Sequence, residues 1–260
     1  MRLDRLQLTL PLPERREYDA RDFIPAPSNQ IALTWLEIRW PAPPWPDQRL
    51  AIWGPAGCGK SHLLHIWAER RGAVLGSGPA LRGLDWLPDS GAAALDDADL
   101  VVPDELLLHT LNTARDRGLD LLLAGQSAPA RWPVRLPDLS SRLRAITAVE
   151  ISEPDDALLS ALLMRLLAER QLSVPAPVQS WLLTRLPRSA GALRAIVVRL
   201  DRESLVTGKA ITRALASDVL RSSDLLDQTT GEDCKTSVEA AHLPVILDAE
   251  TADPERDRRL

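Results

Sequence analysis

The spacing of apolar residues changes character along the chain. Between residues 49 and 151, short apolar runs alternate with stretches of helical period. Leu50–Trp53, Ala73–Leu75, Ala92–Leu95, Leu119–Ala124 and Thr147–Ile151 read as strands. Residues 60–70 and 104–117 read as helices, with Leu63, Leu64 and Trp67 on one apolar face and Leu107, Leu108 and Leu111 on the other. Strands apolar on both faces and separated by helices predict an α/β base: a parallel five-stranded sheet covered on both sides.

From Ser152 the period is helical throughout. Ser152 reads as an N-cap, with Pro154, Asp155 and Asp156 in the first turn and Leu158, Leu159, Leu162, Leu166 and Leu167 following the 3.6-residue repeat. Further helices are expected over about 177–186, from Ser189 with Leu193, Ile196, Val197 and Leu200, and over about 211–220. Residues 152–220 therefore predict a small all-helical lid on the base at 23–151. Upstream, eight prolines between Pro11 and Pro46 leave only Ile31–Trp40 free to form a helix, and residues 1–22 read as an extended segment. Beyond residue 221 aromatics cease and acidic and hydroxyl residues dominate, which predicts a flexible acidic tail over 221–260.

Composition narrows the class. A chain of 260 residues, 45% apolar and 26% charged, can bury a substantial core. It contains no run long enough to span a membrane, and its first thirty residues mix Arg and Asp instead of building a signal peptide. Cys58 and Cys234 form neither a disulfide framework nor a metal-ligand spacing. The expectation is a cytoplasmic protein without membrane contact. The net charge of −5 falls in the tail, where ten acids face five bases, while residues 1–220 carry 26 of each sign. A balanced body lacks the basic excess that phosphate-backbone binding uses, so bulk charge gives no support to DNA binding.

Two motifs carry chemistry. Gly54-Pro55-Ala56-Gly57-Cys58-Gly59-Lys60-Ser61 fits the phosphate-binding loop, and it stands between a predicted strand and a predicted helix as that mechanism requires. Backbone N–H groups freed by the glycines and the positive end of the helix receive phosphates, Lys60 reaches the β and γ groups, and the Ser61 hydroxyl ligates Mg²⁺. His62 adjoins this nucleotide-binding set. Lys60 is one of only three lysines in the chain. Asp96 and Asp97 end an apolar strand, where a parallel sheet presents its functional edge. There Asp96 would hold Mg²⁺ through water and Asp97 would orient or activate an attacking water.

With these motifs, the stretch from Glu105 to Asn112 and Leu136-Pro-Asp-Leu-Ser-Ser-Arg-Leu143 resemble the AAA+ core of the bacterial replication initiator DnaA, and more closely its shorter relatives, the Hda (HdaA) family. The resemblance covers roughly residues 5–220. It implies that Phe23 and Asn29, in the segment ahead of the core, lie beside the adenine of bound ADP or ATP, and that Arg142 is an arginine finger acting in trans. It aligns Gln126 with the sensor after the fourth strand and Gly191 with the sensor 2 arginine, leaving Arg194, one turn on, as the substitute. These departures predict weak or no intrinsic ATPase.

Gln7-Leu8-Thr9-Leu10-Pro11-Leu12 resembles the peptide by which Hda proteins bind the DNA polymerase III β sliding clamp. Leu10 and Leu12 would enter an apolar groove, with the Gln7 amide hydrogen-bonded at its edge. The period-two alternation of Leu6, Leu8, Leu10 and Leu12 fits an edge strand as well, although Pro11 weakens that reading. The forty residues after the lid give no sign of an initiator's DNA-reading module. The resemblance therefore implies a clamp-tethered protein at the replisome that presents Arg142 to DnaA-ATP and restrains re-initiation, with DnaA and the clamp as partners, no direct sequence-specific DNA binding, and a possible homodimer. Two rivals share the same core: an initiator-like or helicase-loading ATPase acting on DNA, and a clamp-binding adaptor in which nucleotide only stabilises the fold.

Overall fold

A computed structural model describes residues 18–36, 45–101 and 103–222. Five parallel strands, β1 (Arg49–Trp53), β2 (Val74–Ser77), β3 (Ala92–Asp96), β4 (Asp120–Gly125) and β5 (Thr147–Glu150), form one sheet in the order β2-β3-β4-β1-β5. Leu50 is in register with Leu122 on one side and Thr147 on the other, so all strands point their carboxyl ends to the same edge. That edge is where an open parallel sheet positions its ligand.

Helices cover both faces. α1 (Gln30–Leu36) and α2 (Lys60–Arg71) lie on one side, where Leu50, Ile52, Leu63, Leu64, Trp67 and Ala94 form a core with Trp45 stacked on Trp67 at 5.2 Å. α3 (Asp104–Asp116) and α4 (Pro137–Ala145) lie on the other, closing Leu95, Leu107, Leu111, Leu121, Leu123, Leu139 and Leu143 into a second core. The apolar-on-both-faces pattern is thus answered by two separate cores. α2 buries more than the single face expected: Ile66 is buried as well, and so is His62, against which Tyr18, Asp19 and Phe23 lie.

The lid has its own core. α5 (Asp156–Glu169), α6 (Ala176–Leu183), α7 (Ala190–Thr207) and α8 (Arg213–Arg221) pack Leu159, Leu163, Leu182, Ile196, Val197, Leu200 and Val219 together. Ser189 caps α7, its hydroxyl accepting from Ala192 N–H at 3.1 Å, as expected. The first lid helix corrects the sequence reading: Asp155 is its N-cap, accepting from Leu158 N–H at 2.7 Å, while the Ser152 N–H donates to Ser28 O. A cap at Ser152 would have put Glu153 in helical conformation directly before Pro154, which the proline ring disfavours. The Gln7–Leu12 motif and all but the first two residues of the acidic tail lie outside the described residues, as does Cys234. Among the described residues no helix is long and apolar enough to cross a membrane.

Candidate functional site

The loop between β1 and α2 is shaped by close approaches. A Cβ on Gly54 would stand 2.1 Å from Ile151 O, and one on Gly57 would stand 2.4 Å from the Ser189 Cβ. Gly57 and Gly59 have φ of +76° and +106°, a region costly for residues with a side chain. Gly59 immediately precedes α2. Lys60 is buried and folds back into the loop, its Nζ donating to Gly54 O at 2.8 Å and to Pro55 O at 2.9 Å. The ammonium is thereby poised where incoming phosphates would exchange for carbonyls. Burial pushes the Cys58 thiol up, with the Lys60 charge opposing, so Cys58 is a buried small residue with little thiolate character.

A cavity of about 610 Å³ opens above this loop, lined by Gly57, Gly59, Lys60, Ser61 and His62 on one side and by Gly191, Arg194 and Arg199 of α7 on the other. The lid reaches the loop directly, since Ala190 N–H donates to Gly57 O at 3.2 Å. An adjoining lobe of about 50 Å³ is more apolar, walled by Phe23, Ile24, Leu158, Leu159 and Leu162, and shares Gly57, His62 and Arg194 with the larger cavity. The arrangement suits a nucleotide's phosphates, which would lie over Gly57 and Gly59, while the apolar lobe offers Phe23 and Ile24 to the edge of a base. Arg194 lines both the larger cavity and the apolar lobe. Gly191 leaves open space where a side chain would stand.

Asn29 lines the apolar lobe. Its Oδ1 accepts from Ala26 N–H at 2.9 Å and its Nδ2 donates to Ile24 O at 3.1 Å, so the amide also folds the segment that carries Phe23 and Ile24. His62 is fixed by a 2.9 Å hydrogen bond between Nε2 and Asp19 O and by an edge contact with Phe23 at 5.4 Å. Burial lowers its pKa, the Asp19 carbonyl opposing and the Arg194 charge adding to the shift.

Asp96 ends β3 and accepts the Asp97 N–H at 3.0 Å. Asp97 sits in left-handed conformation at φ +48°, and its carboxyl is pushed up by burial and then by the charges of Asp96 and Asp99, with Lys60 opposing. Among the described residues no three His, Cys, Asp or Glu side chains cluster to hold a metal. A Mg²⁺ at Ser61 and Asp96 would therefore depend on phosphate oxygens and water for most of its ligands. Gln126 departs from its expected place. It is exposed just past β4, outside the lining of both cavities, and its N–H donates to Asp99 Oδ2 at 2.8 Å.

Arg142 lies at the opposite end of the sheet. It occupies the last turn of α4, which ends just before β5 at the amino edge, about 17 Å, one strand length, from the loop at the carboxyl edge. Its Nε donates to Asp138 Oδ1 at 3.1 Å. Its charge, with that of Arg115, adds to the burial that lowers the pKa of Arg49 at the start of β1. Arg144, the neighbour most easily confused with it, is exposed and bonds Ser140 Oγ at 2.9 Å.

Sequence reasoning missed Tyr18, Ser189, Arg199 and Asp99 as parts of this edge. Tyr18, the only tyrosine in the chain, carried a signal in being a lone aromatic within a charged segment. It packs on His65 at 4.1 Å and walls the larger cavity. Asp99 follows in the same acid-rich stretch, and its Oδ1 is buried and makes no hydrogen bond.

Comparison with known proteins agrees with this geometry. Residues 155–220 match the family model described as Hda, lid domain. Domain III of the replication initiation protein DnaA from Thermotoga maritima is similar at a TM-score of 0.66 and 19% identity, over 83% of this chain and 99% of that one. AMPPCP-bound DnaA from Aquifex aeolicus gives a TM-score of 0.56 at 20% identity, over 75% and 68%. A Thermotoga maritima RuvB variant gives 0.59 at 16%, over 79% and 71%. The fold is that of an AAA+ base and lid.

Proposed function

We infer that this chain, a DnaA-related AAA+ protein with an Hda lid, is a regulator of replication initiation that acts on the nucleotide of DnaA. The observation that carries the reading is the separation of the two halves of an AAA+ ATPase site. The loop, Lys60 and the α7 face form a cavity at the carboxyl edge of the sheet, and Arg142 lies in the last turn of α4, which ends at the amino edge. In this reading the finger serves a nucleotide held by a second protein. The solved DnaA structure with AMPPCP supports the nucleotide half of the reading, and the Hda lid match supports the choice of regulator over initiator.

In this reading Gly54, Gly57, Gly59 and Lys60 hold the phosphates of ADP or ATP, Ser61 and Asp96 hold its Mg²⁺, and Phe23 packs on the base. Bound nucleotide fixes the lid through Arg194 and the α7 N-terminus. Arg142 leaves Asp138 and donates to phosphate oxygens on DnaA-ATP, stabilising charge that develops as the γ phosphoryl transfers to water. Gln7–Leu12 tethers the protein to the sliding clamp, raising its effective concentration near DnaA at the replisome. The chain's own hydrolysis is weak, because Gln126 and Gly191 put no sensor side chain into the cavity. The test is DnaA-ATP turnover in the presence of clamp loaded on DNA. Arg142→Ala should abolish stimulation, a loss of about 10³-fold or more, and Gln7→Ala should lower it. Stimulation intact in both variants would refute the reading.

A further inference from the structure

Among the described residues β2 is the outer strand of the sheet, bonded only to β3. It exposes two adjacent apolar residues, Val74 at 38% and Leu75 at 43%. An outer strand presents unpaired N–H and C=O groups along its free side, a template for another strand. Beside it lies an open hollow of about 450 Å³ lined by Tyr18, His65, Ala68, Glu69, Gly72, Ala73 and Leu75. Tyr18 is the first described residue, and its stacking on His65 fixes the point where residues 1–17 join the fold at the rim of this hollow.

We propose that residues 6–12 of the same chain dock on this edge as a sixth strand, so that the segment read above as the clamp motif is held in cis until the clamp competes for it. This rests on the clamp-tether reading of Gln7–Leu12 for its consequence, though not for the docking itself. Leu6, Leu8, Leu10 and Leu12 recur with period two, so a strand turns all four to one face. The hollow on the Leu75 side of the sheet, floored by Ala68 and Ala73 and otherwise open, would receive that face. Gln7, Thr9 and Pro11 then point to the other side. Pro11 lacks an N–H, which an outermost strand tolerates when that position faces solvent. From Leu12 to Tyr18 the chain can reach about 20 Å, more than the roughly 13 Å length of β2. Because clamp and β2 would take the same leucines, the apparent clamp affinity is reduced by the fraction of segments undocked; a tenth undocked weakens it about tenfold.

Hydrogen exchange on the full chain tests this, with a free peptide of residues 1–17 as reference. The amides of residues 6–12 should exchange at least about tenfold more slowly in the protein than in the peptide. Leu75→Lys, an exposed substitution checked for an unchanged melting temperature and backed by Val74→Lys, should remove that protection and raise clamp affinity about 3- to 10-fold. Exchange at the peptide's rate, or protection that survives both substitutions, overturns the proposal. Protection that depends on protein concentration also overturns it, since the segment would then sit on a second copy. A free peptide that fails to bind the clamp sinks the tether instead, and exchange still decides the docking.

Discussion

At the carboxyl edge of the sheet, glycines, a buried lysine and the start of a lid helix close on one hollow. At the amino edge of the same strand β1, the buried Arg49 feels the charges of Arg115 and Arg142. The first edge is dry enough that burial pushes the carboxyl of Asp97 up and the imidazole of His62 down. The second carries cations, with Asp138 holding Arg142 by one exposed hydrogen bond. An anion arriving from solvent meets a preformed container at one edge and guanidinium groups without a container at the other. One edge is thus built as a container for an anionic ligand, and the other presents cations without one.

The largest expected effect breaks this contrast at the container. Lys60→Ala should weaken binding of a fluorescent ADP analogue by about 10- to 100-fold, the range for losing charge-assisted hydrogen bonds to phosphate. Arg142→Ala should leave it within about twofold, because the two residues serve different edges. Equal losses in both variants would mean that Arg142 reaches its own nucleotide.

A middle-sized effect sharpens the role of the lid. Gly57→Ala puts a Cβ 2.4 Å from that of Ser189 at a φ of +76°, so both overpacking and backbone strain apply. The expected cost is about 2 kcal/mol, seen as a melting temperature lower by about 4–8 °C. Adding Ser189→Gly should recover the packing share, since glycine at an N-cap costs only a few tenths of a kcal/mol relative to serine. No recovery would show that strain in the loop, and not the lid contact, dominates.

How much of this was legible in sequence depends on range. The strand, loop and helix over residues 49–71, the acids at the end of β3 and the sheet's two covered faces follow from contiguous residues and a local period. The wall formed by Gly191, Arg194 and Arg199 meets Gly57 more than 130 residues away along the chain, and no local pattern encodes that approach. The helical period of α7 predicted its lid-core face through Leu193, Ile196, Val197 and Leu200, while the cavity-facing side mixes Arg194 and Arg199 with Gly191, Ala195 and Val198 and has no period of its own. Asp99 is a second case: it lies three residues past a strand in an acid-rich stretch, and its partner, the Gln126 N–H beyond β4, is 27 residues away.

The smallest effect tests whether the dry edge carries a cost. Asp97 stands beside Asp96 and Asp99 and partly out of water, and burial first and then their charges raise its folded-state pKa, with Lys60 opposing. A raised carboxyl binds protons more readily folded than unfolded, so its stabilising contribution is present below the unfolded value, near 3.9, and is lost as pH rises through the folded value. Asn removes the charge and tolerates the left-handed φ of +48° about as well as Asp does. Asp97→Asn should therefore raise the melting temperature at pH 7 by about 1–3 °C, with the gain shrinking as pH falls through the folded pKa toward 4. A gain that stays constant across that range would assign the effect to packing and remove like-charge strain from the account of this edge. A gain that fades would show that the fold carries Asp97 at some expense to stability, as expected of a group kept for chemistry and not for the fold.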